Sequence, residues 1–395
     1  MPRDGTLPGH GSRALDLLNF FVADVQTGFG AFVAVYLTMH KWTQIEIGTV
    51  LSAGTVFALV SQIPAGALVD AVAHKRIVAA WGLGGIFVSA VLLALWPTEL
   101  PVLVAQVLHA VASSVITPAI AAISLHLVGR PGLGERLGRN ARYAAIGTAL
   151  SAVVLGAGGD LVSSRVVFWL TAVLCVPALA TLPAIGHGVY ARRQTTVQPF
   201  DWQGLRGLFG DRRLLVFAGA ITLFHLANAD MLPLAGATVT MRAGSFANVI
   251  IAACIMVPQS VVALASPAVG RVAARLGRRP VLLLGWAALP LQGVLLAVLP
   301  GVWFVVAVQL VAGVSAAVFG VMLPLISADL TRGTSHFNLC MGVLGLAVTI
   351  GATLSTLLGG WLAEEVSMSA AFLGLAAAGL AGVLVVWAAM PETGD

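Results

Sequence analysis

Apolar runs of about twenty residues, separated by short polar breaks, follow one another along the whole chain. They predict helices at roughly 15–38, 45–69, 77–96, 100–128, 140–162 and 165–185, then at 214–237, 246–270, 280–299, 302–330, 336–362 and 369–390. About 20 apolar residues is the length a helix needs to cross the hydrocarbon core of a bilayer. No alternating strand pattern competes, and each unpaired backbone group in lipid costs several kcal/mol, so only helices fit. The expected fold is an all-α integral membrane protein with twelve transmembrane helices in two six-helix bundles, residues 1–185 and 214–395. The longest polar stretch, 186–213, reads as a linker, with Gln203 to Phe209 as a short surface helix.

Composition agrees with this pattern. Of 395 residues, 59% are hydrophobic and 9% charged, against about 25% charged in soluble domains. A water-facing surface cannot be built from so few charges, and the spans leave no room for a sizeable soluble domain. The net charge of +5 reflects topology more than a nucleic-acid partner. With both ends in the cytoplasm, 18 of the 21 Lys and Arg fall on the cytoplasmic side, leaving Lys41, Arg165 and Arg242 opposite. That skew is the positive-inside signal, and it places the chain in the cytoplasmic membrane as a multi-pass protein. Cys175, Cys254 and Cys340 lie inside apolar runs without metal-ligand or disulfide spacing and read as small buried hydrophobes. The first run is too long for a signal-peptide core.

The two halves repeat each other. Phe20-Phe21-Val22-Ala23-Asp24 matches Phe224-His225-Leu226-Ala227-Asn228 at an offset of 204, and Gly66 matches Gly270 at the same offset. Gln106 matches Gln309 at 203; Asn140 and Gly147 match Asn338 and Gly345 at 198. Order and near-constant spacing point to two related halves, a common plan in membrane transporters. The loop Gly66-Ala-Leu-Val-Asp70-Ala71-Val-Ala73-His74-Lys75-Arg76 resembles the G-x-x-x-D-R-x-G-R-K-R loop of the major facilitator superfamily, with Ala71 and Ala73 departing from it. A second copy, Gly270-Arg-Val-Ala-Ala274-Arg275-Leu-Gly277-Arg278-Arg279, keeps the basic end and has Ala274 for the acid. The resemblance covers nearly the whole chain. It implies rocking of two halves around a midplane cavity built from helices 1, 4, 7 and 10, and a cytoplasmic gate formed by Gly66, Asp70, Lys75, Arg76, Gly270, Arg275, Gly277, Arg278 and Arg279. In that gate Asp70 would meet the start of the eleventh helix near His336; the alternative is that the basic residues anchor the loop to anionic lipid. Two superfamily signatures are absent: Gln106 stands where proton-coupled members carry arginine, and Val154-Leu155 stand where many drug antiporters carry Gly-Pro.

Asp24 is the sharpest chemical signal. A carboxylate within a membrane helix costs about 2.5–3.5 kcal/mol on insertion scales, so it should face a wet cavity or a partner. It would suit a proton carrier or a binder of cationic substrate; the bland reading is an interhelical clamp. Gln26 follows, and Gly28 and Gly30 permit close helix approach. In the repeat partner, His225 and Asn228 share a face, and Asp230 precedes a break expected at Pro233. Gln106 and His109 share a face at i, i+3, Gln309 pairs with Gln106 by repeat, and Asn140 and Asn338 begin the fifth and eleventh helices as pathway residues, caps or interhelical bonds. Pro118, Pro233, Pro258, Pro290 and Pro324 interrupt helices as kinks.

No G-x-x-x-x-G-K-[ST], H-E-x-x-H or G-x-S-x-G motif occurs, which argues against an ATP-driven pump or a familiar intramembrane hydrolase. No metal site, catalytic residue or cofactor is expected. The expected partners are a small-molecule substrate, protons and membrane lipid, with no nucleic acid and a monomeric chain. The reading is a proton-linked secondary transporter of a small organic solute, with export slightly favoured by the resemblance. Its rivals are a nutrient uptake symporter of the same fold and a non-transporting membrane receptor or scaffold. The middles of helices 1, 4, 7 and 10 carry no arginine, which argues against phosphate or nitrate.

Overall fold

The structure, a computed structural model, describes residues 9–27, 29, 31–185, 202–243, 247–299 and 301–393. Gly28, Gly30 and positions 186–201 of the linker lie outside them. The chain divides into two compact units, residues 1–200 and 201–395.

The first unit contains α1 (Gly9–Thr27), α2 (Ala31–Met39), α3 (Gln44–Ala71), α4 (Lys75–Leu95), α5 (Glu99–Leu161) and α6 (Ser164–Thr181), closed by a 3-10 turn, Leu182–Ala184. The second contains α7 (Trp202–Gly210), α8 (Arg212–Asn228), α9 (Met231–Ala243), α10 (Ala247–Leu276), α11 (Arg278–Val298), α12 (Val302–Leu330), α13 (Phe337–Glu365) and α14 (Met368–Ala389). Local chemistry explains the starts. Thr43 and Glu46 form a capping box at α3, and Ser163 and Ser367 accept backbone N–H bonds at α6 and α14. Asp211 caps α8 by accepting the Arg213 backbone N–H at 2.8 Å, and hydrogen bonds from the Arg213 side chain hold its carboxyl below the usual carboxylate range. α7 has no buried residue, as a surface helix requires.

Three sequence expectations change. The run 15–38 is two helices, broken after Thr27 and resumed at Ala31. The run 214–237 is likewise α8 and α9, with the break at Ala229–Asp230 and not at Pro233. Proline lacks an N–H and is accommodated in a first turn; Pro233 sits in the first turn of α9, so the break falls before it. Finally, 129–139 is not a loop. Only Gly129 leaves helical geometry, with φ 68°, and Pro131 follows within the next helical turn. The two arms of α5 fold back on each other there, because Asn140 Nδ2 donates to Ser124 Oγ at 2.7 Å. Sixteen residues of straight helix would separate those groups by about 24 Å.

Ten helices among the described residues are long and apolar enough to cross a membrane, with α5 counted once despite its reversal. Large apolar side chains are exposed, Leu264 at 74% and Leu357 at 65%, as a lipid-facing surface allows. Cys175, Cys254 and Cys340 are buried. In the second unit, Met231, Leu234, Val239, Ile250, Val305 and Phe372 gather one apolar core from α9, α10, α12 and α14.

Glycines set the closest helix contacts, and they repeat. A Cβ on Gly147 of α5 would collide with the Phe20 carbonyl of α1, and one on Gly351 of α13 with the Thr222 carbonyl of α8. A Cβ on Gly82 would meet Ile116 at 2.5 Å, and one on Gly285 would meet Val318 at 2.6 Å. Gly147 and Gly351 are 204 apart, so the fifth and eleventh helices keep the 204 register of the first and seventh and not the 198 read from Asn140 and Asn338. In that register Ile-Gly-Thr-Ala-Leu-Ser151 aligns with Ile-Gly-Ala-Thr-Leu-Ser355. We expect Gly147→Ala and Gly351→Ala each to destabilise the purified protein, on the overpacking scale of ~1–3 kcal/mol. Gly219→Ala, where nothing lies within 4 Å of the added carbon, is expected to be neutral or stabilising because a helix favours Ala over Gly. Thermal unfolding in detergent checks the contrast.

Candidate functional site

In the first unit Asp24 is buried, 3% exposed, in the last turn of α1. Its carboxyl oxygen accepts a hydrogen bond from Ser151 of α5. Ser151 lies one turn beyond Gly147, as Asp24 lies one turn beyond Phe20, so the glycine contact brings the two side chains together. Ser151 Oγ also lies 2.9 Å from the Gly147 carbonyl. Gln26 is half-buried, and its carbonyl accepts the Phe29 N–H at 3.3 Å.

Phe29, in the break between α1 and α2, stacks on His109 with ring centroids 3.9 Å apart and planes 8° from parallel. Ser113 Oγ lies 3.2 Å from His109 Nε2. Phe168 and Tyr36 extend this aromatic group, and the Tyr36 hydroxyl donates to the Leu93 carbonyl at 2.6 Å. Gln106, one turn before His109, is buried against Gly54 of α3, and its Nε2 has no hydrogen-bond partner among the described residues. A buried amide nitrogen without a partner loses roughly 1–3 kcal/mol of hydration.

In the second unit His225 packs edge-on against Phe319, centroids 4.6 Å apart, beside Phe224 and the buried Trp286. Asn228 is half-buried at the last position of α8. Asp230 is buried, its backbone N–H donates to Ser355 Oγ at 3.0 Å, and Gly359 leaves room for its carboxyl. Gln309 is buried and turns back on its own helix, donating to the Val305 carbonyl at 3.3 Å. Asn338 is buried at the second position of α13, as expected for a residue that begins this helix.

Asn140 does not begin a helix. It sits within the second arm of α5, in a buried polar network. Arg136 donates to Asn140 Oδ1 at 2.8 Å, to Ser12 Oγ at 3.0 Å and to Asp16, while Arg139 holds the same carboxylate with Nε at 2.9–3.0 Å. Through Arg136 this network ties α5 to α1. Arg136 and Arg139 were counted only as topology charges and Asp16 was passed over; the signal available was an acid at the second position of an apolar run, matched to two basic residues at i, i+3.

The gate residues make parallel contacts within each unit. Lys75 donates to the carbonyls of Val69 and Asp70 at the end of α3, the latter at 3.1 Å. Arg278 donates to the Ala273 carbonyl at the end of α10 at 2.9 Å and pairs with Asp329 at 3.0 Å. Each cation thus closes the C-terminus of the preceding helix. Arg76 donates to the Ile185 carbonyl at 2.7 Å. Gly66 and Gly270 are buried, Asp70 is half-buried, and Arg275 is exposed. Gly277 has φ 94°, which explains why this copy needs glycine; Ala73 in the first copy has no such backbone. Glu392 accepts the N–H groups of Arg278 and Arg279 at 2.6 and 3.1 Å, and Arg279 donates to the Trp387 carbonyl.

A profile of the Major Facilitator Superfamily matches residues 15–262 and again 234–394. The chain is 37% identical over 400 residues to the uncharacterized MFS-type transporter Rv2456c of Mycobacterium tuberculosis H37Rv, covering 98% of this chain and 95% of the relative. The same figures hold for the uncharacterized MFS-type transporter MT2531 of the CDC 1551 strain. Among solved structures, the nucleoside transporter NupG aligns with a TM-score of 0.64 at 16% identity over 96% of this chain and 98% of that one, and a single-residue variant of NupG aligns at 0.67. The chain belongs to the Major Facilitator Superfamily and has its all-helical membrane fold.

The buried Asp16 network is expected to carry stability. Breaking a buried pair leaves an uncompensated charge and costs about 3–5 kcal/mol. Asp16→Asn should therefore lower the unfolding midpoint in detergent clearly more than Asp211→Asn, which removes a partly exposed pair of a kind worth about 0–1 kcal/mol.

Proposed function

We propose that this protein moves a small organic solute across the cytoplasmic membrane by alternating access, driven by protons through Asp24, with both termini cytoplasmic. One observation carries the reading: Asp24 is a buried carboxyl in a membrane helix, held by an uncharged hydroxyl, and no ion pair to it forms among the described residues. A permanently charged carboxylate in hydrocarbon is normally matched by a cation, whereas one that gains and loses a proton needs only a hydrogen-bond partner. His109, stacked on Phe29 in the α1–α2 break, and His225, packed against Phe319 of α12, line the proposed pathway with Gln106, Asn228 and Asp230. Asp70 and the basic loop ends form the proposed cytoplasmic gate. Export is favoured on the superfamily resemblance alone, and uptake symport is the other outcome.

Solute flux in sealed proteoliposomes under an imposed pH difference, with a broad compound panel, tests this. Wild-type protein is expected to accumulate its substrate uphill in a way that an uncoupler abolishes. Asp24→Asn should lose that accumulation while still exchanging labelled for unlabelled substrate. Normal uphill transport by Asp24→Asn would sink the mechanism.

A further inference from the structure

A hydroxyl carries one hydrogen, yet Ser151 Oγ lies within bonding reach of two acceptors, the Asp24 carboxyl oxygen and the Gly147 carbonyl. Both contacts are full two-centre hydrogen bonds at once only if the carboxyl supplies the second hydrogen. With Asp24 neutral, its O–H donates to Oγ and the serine hydroxyl donates to Gly147. With Asp24 charged, the serine hydroxyl turns to the carboxylate, and the Gly147 carbonyl keeps its helical N–H partner. Rotation about a single Cβ–Oγ bond therefore satisfies either state, and no helix has to move.

The second unit has the same serine with a different task. Ser355, 204 residues on and preceded by the same Gly-x-x-Leu, accepts the Asp230 backbone N–H at 3.0 Å. The residue equivalent to Asp24 is Asn228, which does not titrate. One serine faces an acid, while its counterpart is tied to a fixed backbone donor.

We propose that Ser151 is a positioning residue for proton exchange at Asp24, its hydroxyl rotating between the Asp24 carboxylate and the Gly147 carbonyl as the proton leaves and returns. This rests on the reading of Asp24 as the proton carrier. The surroundings leave Ser151 as its partner. α1 packs against α4, α5, α6 and the Leu182–Ala184 turn. On α5, Arg136 and Arg139 are engaged two turns away at Asp16, and His109 stacks on Phe29. On α4, Lys75 and Arg76 bind the carbonyls of Val69 and Ile185. α6 brings the buried Cys175 and the exposed Arg165, and the turn brings no ionisable residue.

Infrared difference titration of the purified full-length protein in detergent tests this without knowledge of the substrate. The probe is the carboxyl C=O stretch, scanned between about pH 2 and 10, a range that brackets ordinary and raised carboxyl titrations. A titrating band that disappears in D24N belongs to Asp24. In S151A that band should change frequency, and its midpoint should move by about half a pH unit or more in either direction, the size of one net hydrogen bond. S151T keeps the hydroxyl and should restore both, while S355A should leave both unchanged. If S151A does not fold, S151C fills similar space with only a weak donor and must shift the band. An Asp24 band with frequency and midpoint unmoved by loss of the hydroxyl overturns the inference alone. Absence of any titrating band sensitive to D24N overturns the proton-carrier reading and the inference with it.

Discussion

Close backbone approach at glycine is the constraint on which the candidate site depends. Helices in lipid gain little from pressing apolar side chains together, because the acyl chains are equally apolar, so small residues decide where backbones meet. Gly147 lets α5 approach α1 at Phe20, and one turn further along both helices Ser151 reaches Asp24. Gly351 brings α13 against α8 at the Thr222 carbonyl, two residues before Phe224, the repeat partner of Phe20, and Ser355 then meets the chain at the α8–α9 break. A polar contact that hydrocarbon would otherwise penalise is thus placed by the residue with no side chain.

The all-helical membrane character of the chain was legible in the sequence because about twenty apolar residues can satisfy their backbone in lipid in only one way. Helix breaks were not, because hydropathy does not register a change of direction that stays apolar. The runs 15–38 and 214–237 each hold two helices, and the polar stretch 129–139 is helical apart from Gly129. Asp24 stood out as an acid in an apolar run. Ser151 did not, since serine is small and common at helix interfaces, and its role appears only when the halves are aligned at 204. The neighbouring asparagines, 198 apart, drew the register six residues away.

Charge was read in bulk, as an expected orientation, and incompletely in detail. Counting Lys and Arg gives an orientation, but Arg136 and Arg139 are also buried partners of Asp16, and Lys75 and Arg278 are helix-end donors. A basic residue at the edge of a membrane helix can mark a side of the bilayer and also satisfy carbonyls that lipid cannot. Sequence position reports the first role, and only geometry reports the second.

The carboxylate of Glu392 closes the start of α11, far earlier in the chain, by accepting two of its backbone N–H groups. The segment after α14 is consequently a structural strut of the second unit. A purification tag or fluorescent reporter joined directly behind it would pull on that strut, so a flexible spacer is the sounder engineering choice.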